Sequence, residues 1–167
     1  MTISANNYDE HVKQSQSLQA EGYHHLIAIR MMPPGEAEVL LTFCPQKTVV
    51  WQGITWESYA VHINGVTMDS SGEMSRPSLS VVNPHGIFSR YIHAGWMDNA
   101  EVTRYQVLKS HVDSNTNSFV KKLWRVAKIT ALSKTVAVCE LRGALDGQFF
   151  TLPGRQFYPP EFTTVSM

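Results

Sequence analysis

Apolar positions along this chain fall in short runs and alternating stretches split by turn residues, the pattern of strands. "HHLIAIRMM" (24–32) and "AEVLLTFC" (37–44) are apolar runs split by Pro33-Pro34-Gly35, which predicts strand, turn, strand. "TVVWQGITWESYAV" (48–61) sets Gln52-Gly53 between two β-branched and aromatic stretches. A tight hairpin is expected there, with Gly53 supplying a positive φ. In "VHINGVTM" (61–68) the apolar phase flips between Ile63 and Val66, so Gly65 is expected to form a β-bulge.

The stretch "RPSLSVVNPHGIFSRYI" (76–92) changes period midway. Leu79 and Val81 alternate with Ser78 and Ser80 as on a strand. Then Asn83 suits a helix N-cap and Pro84 the first helical position, where a missing N–H costs nothing. Ile87, Phe88, Tyr91 and Ile92 form an amphipathic stripe, and Gly95 can end the helix in the left-handed conformation. One short internal helix is therefore predicted at about 84–94. Such a strand-to-helix turn can hold an anion on free N–H groups. Here Pro84 removes one donor and the Asn83 side chain can occupy another, so a capping corner is the better reading.

Downstream, "EVTRYQVLKSHV" (101–112) reads as a strand, "DSNTNS" (113–118) as a polar loop, and "FVKKLWRVAKITAL" (119–132) with "TVAVCELRG" (135–143) as two strands joined by Ser133-Lys134. "FFTLPGRQF" (149–157) closes the domain. Residues 1–21 read as a polar arm or short helix, and 158–167, with Pro159-Pro160, as an irregular tail. Connections are short and no βαβ rhythm or long repeat occurs, so a mainly β domain over 22–157 follows. Its expected form is an antiparallel β-sandwich or distorted β-barrel.

Composition narrows the function classes. The 167 residues are 43% hydrophobic and 17% charged, enough for one domain with a real core and too apolar for extended disorder. The 14 basic and 14 acidic residues cancel, so no global field steers the protein to DNA or an anionic membrane. Near-neutral chains tend to associate, which suits a subunit of an assembly. No apolar run is long enough to span a bilayer, and the amino terminus lacks a signal-peptide core. Cytoplasmic synthesis without membrane anchoring is expected. Cys44 and Cys139 lie in apolar runs outside any C-x-x-C and read as buried free thiols.

Candidate chemistry is sparse. The seven histidines show no metal-ligand spacing, and adjacent His24 and His25 would point to opposite faces of a strand. No nucleophile elbow, P-loop or dinucleotide fingerprint is present. No catalytic residue, metal site or cofactor is predicted. The aromatic content leaves a carbohydrate- or receptor-binding module as an alternative, with a small hydrolase on a β fold as a second.

The order of segments says more than any single motif. Val50, Trp51 and Gly53 form a V-W-x-G hairpin, followed by Tyr59. Arg76-Pro77 opens the next strand, Asn83 and Gly86 give N-x-x-G at the helix, Val102 and Arg104 mark the strand after it, and Pro153, Gly154 and Arg155 give a closing P-G-R. Over residues 24–157 this series resembles the minor tail protein L family of lambda-like siphophages. The resemblance implies a structural virion protein of a long non-contractile tail: a tail-tip ring subunit contacting copies of itself, the distal tail or tube protein, and the central hub or host-recognition protein. DNA would be passing cargo only. The lambda-type protein carries a cysteine-containing iron–sulfur extension after P-G-R. No cysteine follows Cys139 here, so the cluster is expected to be absent. Asp69 and Glu73 in loop 69–75, and Asp113 in loop 111–118, are the candidate interface acids. The arm and tail are expected to dock on neighbours.

Overall fold

The apolar run at 24–32 becomes the middle of a sheet. In the computed structural model, which describes residues 22–66 and 76–143 together with residues 12, 13 and 16, strand β1 spans Tyr23–Met31. Both phases of this strand are apolar, and both faces are buried: Leu26 and Ala28 point one way, Ile27, Ile29 and Met31 the other. The strands that follow are β2 (Val39–Cys44), β3 (Val49–Trp51), β4 (Ile54–Ser58), β5 (Val61–Asn64), β6 (Ser78–Val82), β7 (Glu101–Leu108), β8 (Val120–Leu132) and β9 (Val136–Gly143). Two helices, α1 (Ile87–His93) and α2 (Lys109–Asp113), lie between them. Residues 12, 13 and 16 of the arm are helical. The rest of the arm, residues 67–75 and everything from residue 144 lie outside the described residues, and the loop expected at 69–75 falls among them.

All nine strands join one sheet in the order β3-β4-β2-β1-β7-β8-β9-β6-β5. Every pairing is antiparallel except β2 with β4, where Phe43 lies opposite Glu57. The mainly β, largely antiparallel architecture expected from the sequence is what forms. The sheet curls without closing into a barrel. Residues 58–60 step between its two flanks: Tyr59 N donates to Cys44 O on β2, and Val82 N on β6 donates to Ala60 O. The curl encloses a main core of Ile29, Met31, Leu79, Val102, Val126 and Leu141, covered by Phe88 of α1. Burying a side chain the size of Phe88 contributes about 2–3 kcal/mol. A second core on the opposite face of β1 holds Leu26, Trp51, Trp56, Val107 and Val112.

Three expectations need correction. The strand predicted over 101–112 ends at Leu108 and gives way to α2, so the described residues 76–143 hold two helices where one internal helix was expected. Val107, Leu108 and Val112 are all buried, a spacing that a helical turn satisfies beneath the second core. Gly65 is not a bulge: it sits at φ 76° just beyond the end of β5. The bulges occur instead on β8, between Val126 and Lys128 and between Ile129 and Ala131, where the long strand bends.

Candidate functional site

The corner after β6 is built on Asn83, which is wholly buried. Its backbone N–H donates to Thr135 O at 2.7 Å, and its side-chain Nδ2 donates to Ser133 O at 2.8 Å and to Ser89 Oγ at 3.0 Å. The Oδ1 accepts from Phe88 N at 2.9 Å. The helix thus begins later than the predicted residue 84. Pro84–Gly86 form a 3-10 turn, Gly86 at φ 71° is the N-cap, and α1 runs from Ile87 to His93. The left-handed cap demands a residue that tolerates positive φ, which is the reason for glycine there. Asn83 still caps the helix, reaching across the turn. The N–H groups of Gly86, Ile87 and Phe88 are taken by Asn83 O, Pro84 O and Asn83 Oδ1, so this corner holds the β8–β9 hairpin rather than an anion.

Phe88 packs its ring against Phe43 and Tyr59 at 6.0 Å each and Tyr91 at 6.5 Å. Ile87, expected on the buried stripe, is half exposed. The helix ends in a Schellman motif: Trp96 N donates to Tyr91 O, Gly95 N donates to Ile92 O, and the Tyr91 and Trp96 rings meet at 5.8 Å.

The V-W-x-G hairpin forms as expected, with Gln52 at φ 54° and Gly53 at φ 73° between β3 and β4. Trp51 is buried and sends its Nε1–H to Thr116 O at 3.1 Å. Asn115, also left-handed at φ 53°, accepts from Gln52 N on its Oδ1 at 2.7 Å and from Gln52 Nε2 on its carbonyl at 2.8 Å. The hairpin tip and the 113–118 loop are therefore one clamped unit. Asp113 stands exposed at its base, at the end of α2. The partner Asn115 carries a readable signal, since asparagine in a polar loop favours the left-handed region, yet sequence gives no hint of what it would meet.

Arg76 is exposed and bonds Glu140 on β9, which also bonds Lys128. Those two cations, Lys128 foremost, hold the Glu140 carboxyl below its usual range. Pro77 is buried, and its carbonyl accepts from Leu141 N at 2.7 Å. Arg104 lies half-buried on β7, where Nη2 donates to His25 Nδ1 at 3.2 Å. His24 and His25 do face opposite ways: His24 is buried beside Lys47, Asp113 and Lys109, while His25 meets Arg104. Cys44 and Cys139 are free and buried in different cores; burial pushes the Cys139 thiol up to about 11, which makes it a poor nucleophile. Asp69, Glu73, Pro153, Gly154 and Arg155 lie outside the described residues.

These residues shape and clamp a β domain. The sequence model of the phage minor tail protein L family matches residues 36–161, most of the chain. The chain belongs to that family. No curated protein matches it. The match runs from just before β2 through β9 and both helices, so it contains the corner, the clamped hairpin and Arg104. As a minor tail protein L family member, the chain is a structural component of a phage tail and a virion protein.

Proposed function

We propose that this tail protein is a ring subunit at the tail tip, joining the tail tube or its distal ring to the central hub or host-recognition protein. The observation that carries the reading is family membership across residues 36–161. The fold suits the role. Its sheet is open, with short edge strands β3 and β5, and edges of this kind offer backbone groups that a neighbour can complete. A ring also needs side-to-side contacts that close and two end faces for different neighbours. The balanced charge lets DNA pass through the ring without being held on it. Asp113, with Asp69 and Glu73, faces a ring neighbour or the channel, and the 1–21 arm and 158–167 tail order by docking on adjacent subunits. The test is the position and copy symmetry of the protein in intact particles by cryo-electron microscopy. A ring at the end of the tail distal to the head is expected. Density along the tube or at the head-proximal end overturns the reading.

A further inference from the structure

Among the described residues, Arg104 forms no ion pair. It sits on β7 facing the main core, with Ile27 of β1 opposite on one side and Lys122 of β8 opposite on the other. Residues paired across adjacent strands share a face, so Lys122 lies on the same face as Arg104, with its own side chain exposed. No carboxylate among the described residues forms an ion pair with either; the described ion pairs are Arg30 with Glu38 and Glu140 with Arg76 and Lys128. The polar partner that Arg104 does have is an imidazole. A guanidinium only donates, so the His25 Nδ1 must accept and the ring must be neutral. Burial, and next the Arg104 charge itself, hold the His25 pKa below its ordinary value, in keeping with that assignment. The Nε of Arg104 is buried with no hydrogen-bond partner. On the other side of His25, its backbone N–H donates to Gln46 Oε1, while Gln46 Nε2 donates to Tyr23 O.

A half-buried guanidinium with no ion pair among the described residues and a buried donor unmet is unfavourable for the fold those residues form. We propose that Arg104, flanked by His25 and Lys122, is a docking site for the carboxylate of an aspartate or glutamate from an adjoining tail subunit. The planar fork of arginine accepts a carboxylate through two parallel hydrogen bonds, and Lys122 adds a second cation at the rim. Neutral His25 orients the fork and adds no repulsion of its own. Phosphate would fit the same fork. The net charge of zero and the confinement of the site to two cations on one sheet face favour a single carboxylate over a DNA backbone, which is held through many phosphates. The inference rests on the reading of the chain as an assembled tail component.

The experiment compares phages carrying wild-type protein, Arg104→Met and Arg104→Lys, scoring incorporation into purified tails and infectivity, alongside melting of the free proteins. Methionine keeps the aliphatic stem and removes the charge. Expected is an Arg104→Met protein that melts at the wild-type temperature or above it, yet enters tails about 30-fold less well or worse. Arg104→Lys should fall between the two. An Arg104→Glu phage should regain infectivity through acid-to-base changes, and the chain that carries them identifies the partner, whether another copy of this protein or a different tail protein. Normal incorporation of Arg104→Met overturns the proposal. So does a free Arg104→Met protein that melts well below wild type, because Arg104 would then serve its own fold. DNA binding by the wild type that the substitution abolishes also overturns it, in favour of phosphate. Absence of the wild-type protein from the tail tip defeats the ring reading. Wild-type presence there with normal Arg104→Met incorporation defeats only the carboxylate site.

Discussion

Asn83 shows how one side chain can join three parts of a fold. It ends β6, holds the turn between β8 and β9 through Ser133 and Thr135, and caps α1 through Phe88. A helix cap alone contributes about 1 kcal/mol. Here the residue is wholly buried, so removing its amide also strands the Ser133 carbonyl and the Phe88 N–H. Asn83→Ala is expected to cost about 3 kcal/mol. Urea unfolding checks this: the midpoint should fall with the m-value unchanged, as for a native state weakened and not reshaped. A cost near 1 kcal/mol would mean that Asn83 acts as a cap and little more. At the same scale, Gly95→Ala forces a Cβ into φ 73°. It should cost about 1 kcal/mol in the same assay.

At the scale of elements, what was legible in the sequence was what depends on near neighbours. The apolar run at 24–32 marked β1, alternation at 78–81 marked β6, and Gln52-Gly53 marked its hairpin. The helix α2 was not legible, because Val112 lies four residues after Leu108. That spacing fits a strand of period two as well as a helical turn, and burial against the second core decides between them. The phase flip at Gly65 predicts a bulge, whereas the strand simply ends at Asn64. The Arg104–His25 contact joins residues 79 apart and exists only through the β1–β7 pairing, which no local pattern encodes. The Trp51 and Gln52 clamp on the 113–118 loop is similarly non-local. It yields a prediction: Trp51→Phe keeps most of the ring packing but removes the Nε1–H donor to Thr116. A loss of about 1 kcal/mol is expected, with faster amide exchange across 114–117 and none at α1. Uniform acceleration would show that the loop is not separately clamped.

For the whole molecule, the two cores share β1, and that strand carries a histidine toward each side. His24 is buried, with both ring nitrogens lacking hydrogen-bond partners. Its pKa is held down by burial first and by Lys47 and Lys109 next, with Asp113 opposing. His25 is held down by burial, Arg104 and His24. Both groups therefore have folded-state pKa values below the ordinary value of about 6.5. Above that value neither state is protonated and the fold keeps its full stability. As pH falls through about 6.5 the unfolded chain takes up protons that the folded chain refuses, so stability declines. Each histidine can contribute a slope of at most about 1.4 kcal/mol per pH unit. The melting temperature should hold steady from pH 8 to 7 and drop between pH 6.5 and 5. His24→Leu should flatten part of that drop, because the buried site is apolar and the replacement cannot take a proton. If an adjoining carboxylate pairs with Arg104 in the assembled tail, its negative charge also offsets the charge that depresses the His25 pKa. The His25 share of the acid sensitivity should then be smaller in intact tails than in the free protein, and comparing the acid sensitivity of His24→Leu protein, in which His25 still titrates, between purified tails and the free state measures that difference.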